Sequence, residues 1–188
     1  MIEKKGTQRK DFNNKDIIEW EIDINKGEES LKNISIDDIL PEGLTIVDNS
    51  IEIFELTNNG SYWNENEKVT ILDTSKFPIE MGDIEKAYRI RYSTNINFGN
   101  EYKQKNEYEN KAIIKENGSE VNETKVEVEV YRDTLLEKQG VEKSDYEKRE
   151  ISWRININKA NHNIKNAILK DEFDDGQELI KKSIEILD

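Results

Sequence analysis

Residues Trp20–Glu55 read WEIDINKGEESLKNISIDDILPEGLTIVDNSIEIFE, and residues Trp153–Asp188 read WRININKANHNIKNAILKDEFDDGQELIKKSIEILD. At a constant offset of 133 the two stretches are identical at 13 of 36 positions, among them Trp20/Trp153, Asn25/Asn158, Asn33/Asn166, Asp38/Asp171, Gly43/Gly176 and Ile51/Ile184. Most other apolar positions stay apolar. A fixed period of this kind marks tandem copies of one unit, and a spacing this long makes each copy a whole domain rather than a solenoid repeat. Ahead of each copy, Ile2-Glu-Lys-Lys-Gly6 is echoed by Leu136-Glu-Lys-Gln-Gly140. The expected organisation is a complete domain over residues 1–133 and the N-terminal part of a homologous one over 134–188.

The patterning inside the repeat is that of strands. Ile18, Trp20, Ile22 and Ile24 alternate with Glu19, Glu21 and Asp23, the period of a half-buried strand. Asn33–Leu40 alternates again and stops at Pro41-Glu-Gly43. Ser50–Leu56, Lys68–Leu72, Ala87–Asn95, Tyr108–Lys115 and Glu120–Tyr131 read as further strands, with Thr57–Asn66 a loop and Ser75–Ile84 irregular. Asn117-Gly118 joins two of them in a hairpin, because both residues tolerate positive φ. No segment sustains a helical period. Short alternating strands at regular spacing predict an all-β, immunoglobulin-like Greek-key sandwich, favoured over a barrel, in tandem with an incomplete second copy.

Net charge is −13, and charged residues make up 37% of the chain. This balance argues against nucleic acid, whose phosphates need clustered Lys and Arg, and against anionic membrane surfaces. There are no cysteines, so disulfides and thiolate metal sites are excluded. No apolar run is long enough to insert in a bilayer, and no secretory leader is read in this segment.

Three polar residues fall on apolar faces. Lys4 shares a face with Ile2, Asp38 with Ile34 and Ile36, and Asn110 with Tyr108, Ala112 and Ile114. The second copy repeats two of them, Lys138 and Asp171. An unpaired buried carboxylate is costly, so the pattern needs a cause. One is an ordinary buried Lys–Asp pair, and another is an Asp38 that stays wet at a strand end. The third is an autocatalytic Lys–Asn isopeptide bond. Burial favours the neutral, nucleophilic amine and a protonated Asp38, which can polarise the Asn110 carboxamide and shuttle protons.

At these positions the chain resembles the collagen-binding-type adhesin domains of Gram-positive cell-wall-anchored surface proteins. The resemblance is carried by K-x-G at Lys4–Gly6, I-x-W-x-I-x-I-N at Ile18–Asn25, L-K-N-x-x-I-x-D-x-L-P-E-G-L at Leu31–Leu44 and Y-x-N-x-A at Tyr108–Ala112. It implies a variant immunoglobulin-like sandwich displayed outside the cell, a host extracellular-matrix protein as partner, and no enzymatic activity. It also implies the roles of Lys4, Asp38 and Asn110 in the cross-link. The counterpart of that asparagine in the second copy would lie beyond Asp188.

Other signals are weaker. His162 is the only histidine, sits in a polar loop and cannot make a usual zinc site by itself. Asp171–Gly176 departs from the EF-hand pattern, since Phe173 holds the third position, and reads as a turn. No metal or cofactor is expected, and no hydrolase triad or phosphate loop is present. Tyr62 and Trp63 are candidate ligand contacts. They would suit the alternative reading, a carbohydrate- or protein-binding module of a secreted multidomain enzyme. The apolar edge at Ile151–Ile157 suggests self-association through the incomplete copy.

Overall fold

The structure, a computed structural model, describes residues 2–70, 73–141 and 147–187. Its strands are β1 (Ile2–Lys10), β2 (Asp16–Ile24), β3 (Leu31–Ile39), β4 (Leu44–Ile46), β5 (Glu52–Asn58), β6 (Trp63–Lys68), β7 (Ile79–Ile84), β8 (Ala87–Ile96), β9 (Lys105–Glu116), β10 (Ser119–Tyr131), β11 (Leu136–Gly140) and β12 (Trp153–Ile157). One sheet runs β1-β2-β8-β5-β6, with β4 added beside β8. The second runs β10-β9-β3-β7, and β11 and β12 form a separate hairpin. The pairings are antiparallel.

The alternation in β2 decides the packing. Ile18, Trp20, Ile22 and Ile24 are fully buried, facing Ile34 and Ile36 of β3 and Ala112 and Ile114 of β9 across the sandwich. Each such side chain contributes about 1.5–3 kcal/mol by leaving water. Two devices close the side of the sandwich where β1 meets β10. A Cβ at Gly6 would come within 2.5 Å of the Trp20 ring and 2.6 Å of Val128, so only glycine lets β1 cross there. The Gln8 carboxamide donates to the Tyr131 carbonyl and accepts from the Tyr131 N–H, standing in for a missing strand partner.

Several boundaries differ from the sequence reading. β1 runs from Ile2 to Lys10, whereas Ile2–Gly6 alone reads as a short first strand. The Thr57–Asn66 region is not a loop throughout: β5 and β6 form a hairpin whose turn is held by Asn59 Oδ1, which accepts from the N–H groups of Ser61 and Tyr62. β6 escaped detection because WNENEK is a polar edge strand with no alternation to read. The expected strand Lys68–Leu72 ends in residues 71 and 72, outside the described residues. The Ser75–Ile84 stretch becomes β7, an irregular partner of β3 with register shifts at Ile34.

In the second repeat stretch only β12 forms, paired with β11 as β2 pairs with β1. Lys138 stands opposite Ile155 and Gly140 opposite Trp153, matching Lys4 opposite Ile22 and Gly6 opposite Trp20. Residues 158–187 contain no strand among the described residues. In the first unit β3 is held by β7 and β9, and β5 by β6 and β8; among the described residues the later stretch pairs only as β11 with β12.

The junction is tied to both sides. Arg132 is buried, its guanidinium 4.2 Å from the Phe98 ring and 5.2 Å from Tyr102, and it donates to the Ala160 carbonyl. His162 packs edge-on against Tyr102, so it is half-buried rather than a free surface residue.

Candidate functional site

The two sheets present their polar exceptions to one another. Lys4 leans inward from β1, two pairs away from Gly6 opposite Trp20. Trp20 is opposite Tyr92 of β8. From the facing sheet, Asp38 of β3 is opposite Ala112 of β9, two residues from Asn110. All three sequence-predicted residues therefore meet in the core. The Lys4 ammonium nitrogen pairs with Asp38 Oδ2, and both side chains are 0% exposed. Lys4 Nζ also lies 2.9 Å from the Tyr92 hydroxyl, which accepts from Asn110 Nδ2 at 3.0 Å. A continuous polar chain, Asp38–Lys4–Tyr92–Asn110, thus bridges the sheets.

Aromatic rings wall the cluster. Lys4 Nζ is 5.0 Å from the Trp20 ring centroid and 5.3 Å from that of Tyr92. Trp20 is fixed by its indole N–H, which donates to Thr94 Oγ1 at 3.0 Å, and by stacking on Tyr92. Phe77 closes the far edge of the Tyr92 ring at 5.1 Å. Two acceptors inside this enclosure, Asp38 Oδ1 and Asn110 Oδ1, have no hydrogen-bond partner.

Burial pushes the Lys4 amine down to about 8, against the opposing pull of Asp38. It pushes Asp38 above the usual carboxylate range, although Lys4 pulls it down. Tyr92 is raised by burial and by Asp38, so it stays a neutral phenol. The pocket therefore drives both members of the pair toward their uncharged forms, a neutral amine and a neutral acid. That combination can carry nucleophilic attack and proton transfer.

The second lysine site is a partial likeness of the first. Lys138 Nζ is 2.6 Å from Asp171 Oδ1, over Trp153 at 4.8 Å and Phe173 at 5.6 Å. Its side chains are 32% and 28% exposed. In the Asp171–Gly176 segment, Asp171 is engaged by Lys138, and the Gln177 N–H donates to the Asp174 carbonyl to close a turn.

Tyr62 stands 63% exposed at the β5–β6 turn and Trp63 is half-buried beside it, apart from the lysine cluster. The sequence reading missed Tyr92. The available signal was a phenol sharing the apolar face of Ile90, since a buried Tyr hydroxyl usually finds a partner. It also missed the outer-face network, where Arg89 makes a two-pronged contact to Asp23 and reaches Glu65, while Arg91 lies 5.4 Å from the Phe54 ring.

A family model described as collagen binding domain matches residues 1–127 and 133–188. No curated protein sequence matches the chain. Among solved structures, the collagen binding subdomain of the Enterococcus faecalis surface protein ACE is similar over 69% of this chain and 95% of its own, at 14% identity and a TM-score of 0.42. The collagen-binding domain of a Staphylococcus aureus adhesin is similar over 68% of this chain and 96% of its own, at 20% identity and a TM-score of 0.37. The T6 backbone pilin of Streptococcus pyogenes matches 85% of this chain and 44% of its own, at 18% identity and a TM-score of 0.37. The assignment rests on the family model, whose two matched segments take in nearly the whole sequence: the chain belongs to the collagen-binding domain family.

Proposed function

We propose that the chain is a structural and adhesive module of a bacterial cell-surface protein, exposed outside the cell on a wall-anchored stalk. Residues 1–133 form an immunoglobulin-like unit closed by an autocatalytic isopeptide bond between Lys4 and Asn110, and residues 134–188 begin a second copy. The observation that carries this reading is the sealed chain Asp38–Lys4–Tyr92–Asn110 spanning both sheets. Neutral Lys4 Nζ attacks Asn110 Cγ while protonated Asp38 polarises the Asn110 carbonyl. The Nζ–Cγ amide forms, the Cγ–Nδ2 bond breaks, and Asp38 relays a proton from Nζ to the departing nitrogen, which leaves as ammonia.

Such a bond joins the edge strand β1 to β9 in the opposite sheet. A link closing a loop of roughly a hundred residues contributes on the order of 4–5 kcal/mol through chain entropy. Its mechanical consequence is larger: the sandwich cannot open by peeling off its first strand. Proteolysis of the purified protein followed by fragment mass analysis should return the Lys4 and Asn110 peptides joined, and separate unmodified peptides would contradict the cross-link.

The partner proposed is a host extracellular-matrix protein, with collagen first in line because of the family. Immobilised triple-helical collagen should retain the chain, with Tyr62 and Trp63 the first contacts to replace by alanine. The apolar side chains left exposed in the later stretch, Ile151, Trp153, Ile157, Ile168 and Phe173 among them, support self-association of the chain. A single monomeric species across a concentration series in sedimentation would contradict that.

A further inference from the structure

We propose that the Tyr92 hydroxyl is the positioning residue that brings the attacking and departing nitrogens together; the inference rests on the cross-link reading above. One oxygen receives both groups: Lys4 Nζ at 2.9 Å and Asn110 Nδ2 at 3.0 Å. The nucleophile and the leaving amine are therefore both tethered to one fixed atom. Holding two reacting groups in this way replaces a search by a preset geometry.

The tether also sets the direction of the carboxamide. With Nδ2 committed to Tyr92, Asn110 Oδ1 must face away from it, and it is one of the two buried acceptors without a partner. The other is Asp38 Oδ1. A proton carried by Asp38 gives one of those acceptors a donor and supplies what the other lacks, so the orientation set by Tyr92 is the one in which a protonated Asp38 can polarise the amide. In the flipped orientation the carbonyl would face the hydroxyl and the amide N–H groups would face Asp38 Oδ1, an arrangement that favours an ionised Asp38 and leaves it no carbonyl to polarise.

Tyr92 does not itself exchange the proton, because burial and the neighbouring acid hold it as a phenol. Its contribution is rigidity. It sits on β8 between β2 and β5, its ring stacked on Trp20 and closed by Phe77. Lys4 reaches it from an edge strand on a long, flexible stem, so the fixed hydroxyl narrows the positions the amine can take.

The test compares bond formation after unfolded, unreacted chains are diluted into refolding buffer, followed by intact mass. Tyr92→Phe keeps the ring and removes the oxygen. Phe77→Leu loosens the ring packing and keeps the oxygen. The positioning role predicts that Tyr92→Phe reacts about tenfold more slowly or worse, while Phe77→Leu stays near the wild-type rate. It further predicts that the rising limb of the Tyr92→Phe pH–rate profile moves to lower pH, because Lys4 loses an acceptor for its ammonium form. A merely structural role would slow both variants without moving that limb. Replacing the tyrosines with 3-fluorotyrosine gives a version that preserves shape and weakens the hydroxyl as an acceptor; it should slow the reaction too. Equal rates for wild type, Tyr92→Phe and the fluorinated chain would overturn the positioning role. A wild-type chain that never loses ammonia would instead overturn the cross-link reading beneath it.

Discussion

Lys4 and Lys138 occupy the same motif, each opposite an isoleucine on the next strand, each over a tryptophan ring, each paired with an aspartate. What differs is the second sheet. Around Lys4 it is present, it supplies Asp38 and Asn110, and no water reaches the pair. Around Lys138 the pair remains about one-third exposed. The comparison separates a motif from a site. The short sequence K-x-G…W-x-I can pre-arrange a lysine and an aromatic wall within one hairpin, but the chemical consequence of that lysine comes from strands far along the chain that exclude water.

The largest expected contrast between the two regions is in the aspartates. Asp38→Ala leaves a buried amine without its partner and removes the proton carrier, and should lower the unfolding free energy by about 3–5 kcal/mol. Asp171→Ala breaks a solvated pair and should change it by at most about 1 kcal/mol. Denaturant melts of both variants check this; equal losses would mean that burial is not what distinguishes the sites.

The pH dependence sharpens the same point in Asn110→Ala, which cannot cross-link. Asp38 is raised from its ordinary 3.8, so the folded chain holds an extra proton just above that value, and stability should fall as pH climbs away from 3.8. Lys4 is lowered from 10.5 to about 8, so between those values the unfolded chain holds the extra proton, and stability should recover with rising pH. Denaturant titrations across this range should show the dip. In Asn110→Ala with Asp38→Ala added, the acidic side of the dip should vanish.

Smaller still is the contrast between the two glycines of the repeated K-x-G. At Gly6 a methyl group would collide with Trp20 and Val128, while at Gly140 the nearest atom is in Trp153 at 3.8 Å. Gly6→Ala should destabilise by about 1–3 kcal/mol, and Gly140→Ala should be close to neutral. Thermal unfolding of the two variants checks the ranking, and a Gly140→Ala loss as large as that of Gly6→Ala would contradict it.

Much of the fold was legible because its strands are half-buried. The apolar residues of β2 alternate from Ile18 to Ile24 and burial in β8 alternates from Ile90 to Thr94, and the Asn117-Gly118 hairpin announces itself by two positive φ residues, at 50° and 78°. Parity along single strands was enough to place Lys4, Asp38 and Asn110 on core faces. Strand β6 was illegible because a polar edge strand has no buried face, and β7 because Pro78 and Gly82 break the pattern of its short, irregular pairing. Tyr92 was passed over for a different reason. Its role depends on a hydroxyl meeting groups from another sheet, and no spacing within β8 encodes that. The same holds for His162, whose loop position was plain but whose contact with Tyr102 is made across the junction.

The most direct test is the intact mass of the folded wild-type chain beside Asp38→Ala. The account predicts a wild type lighter than its formula by one ammonia and a variant at its full formula mass. A wild type at full formula mass would contradict it, and the buried Lys4–Asp38 contact would then stand as an ion pair alone.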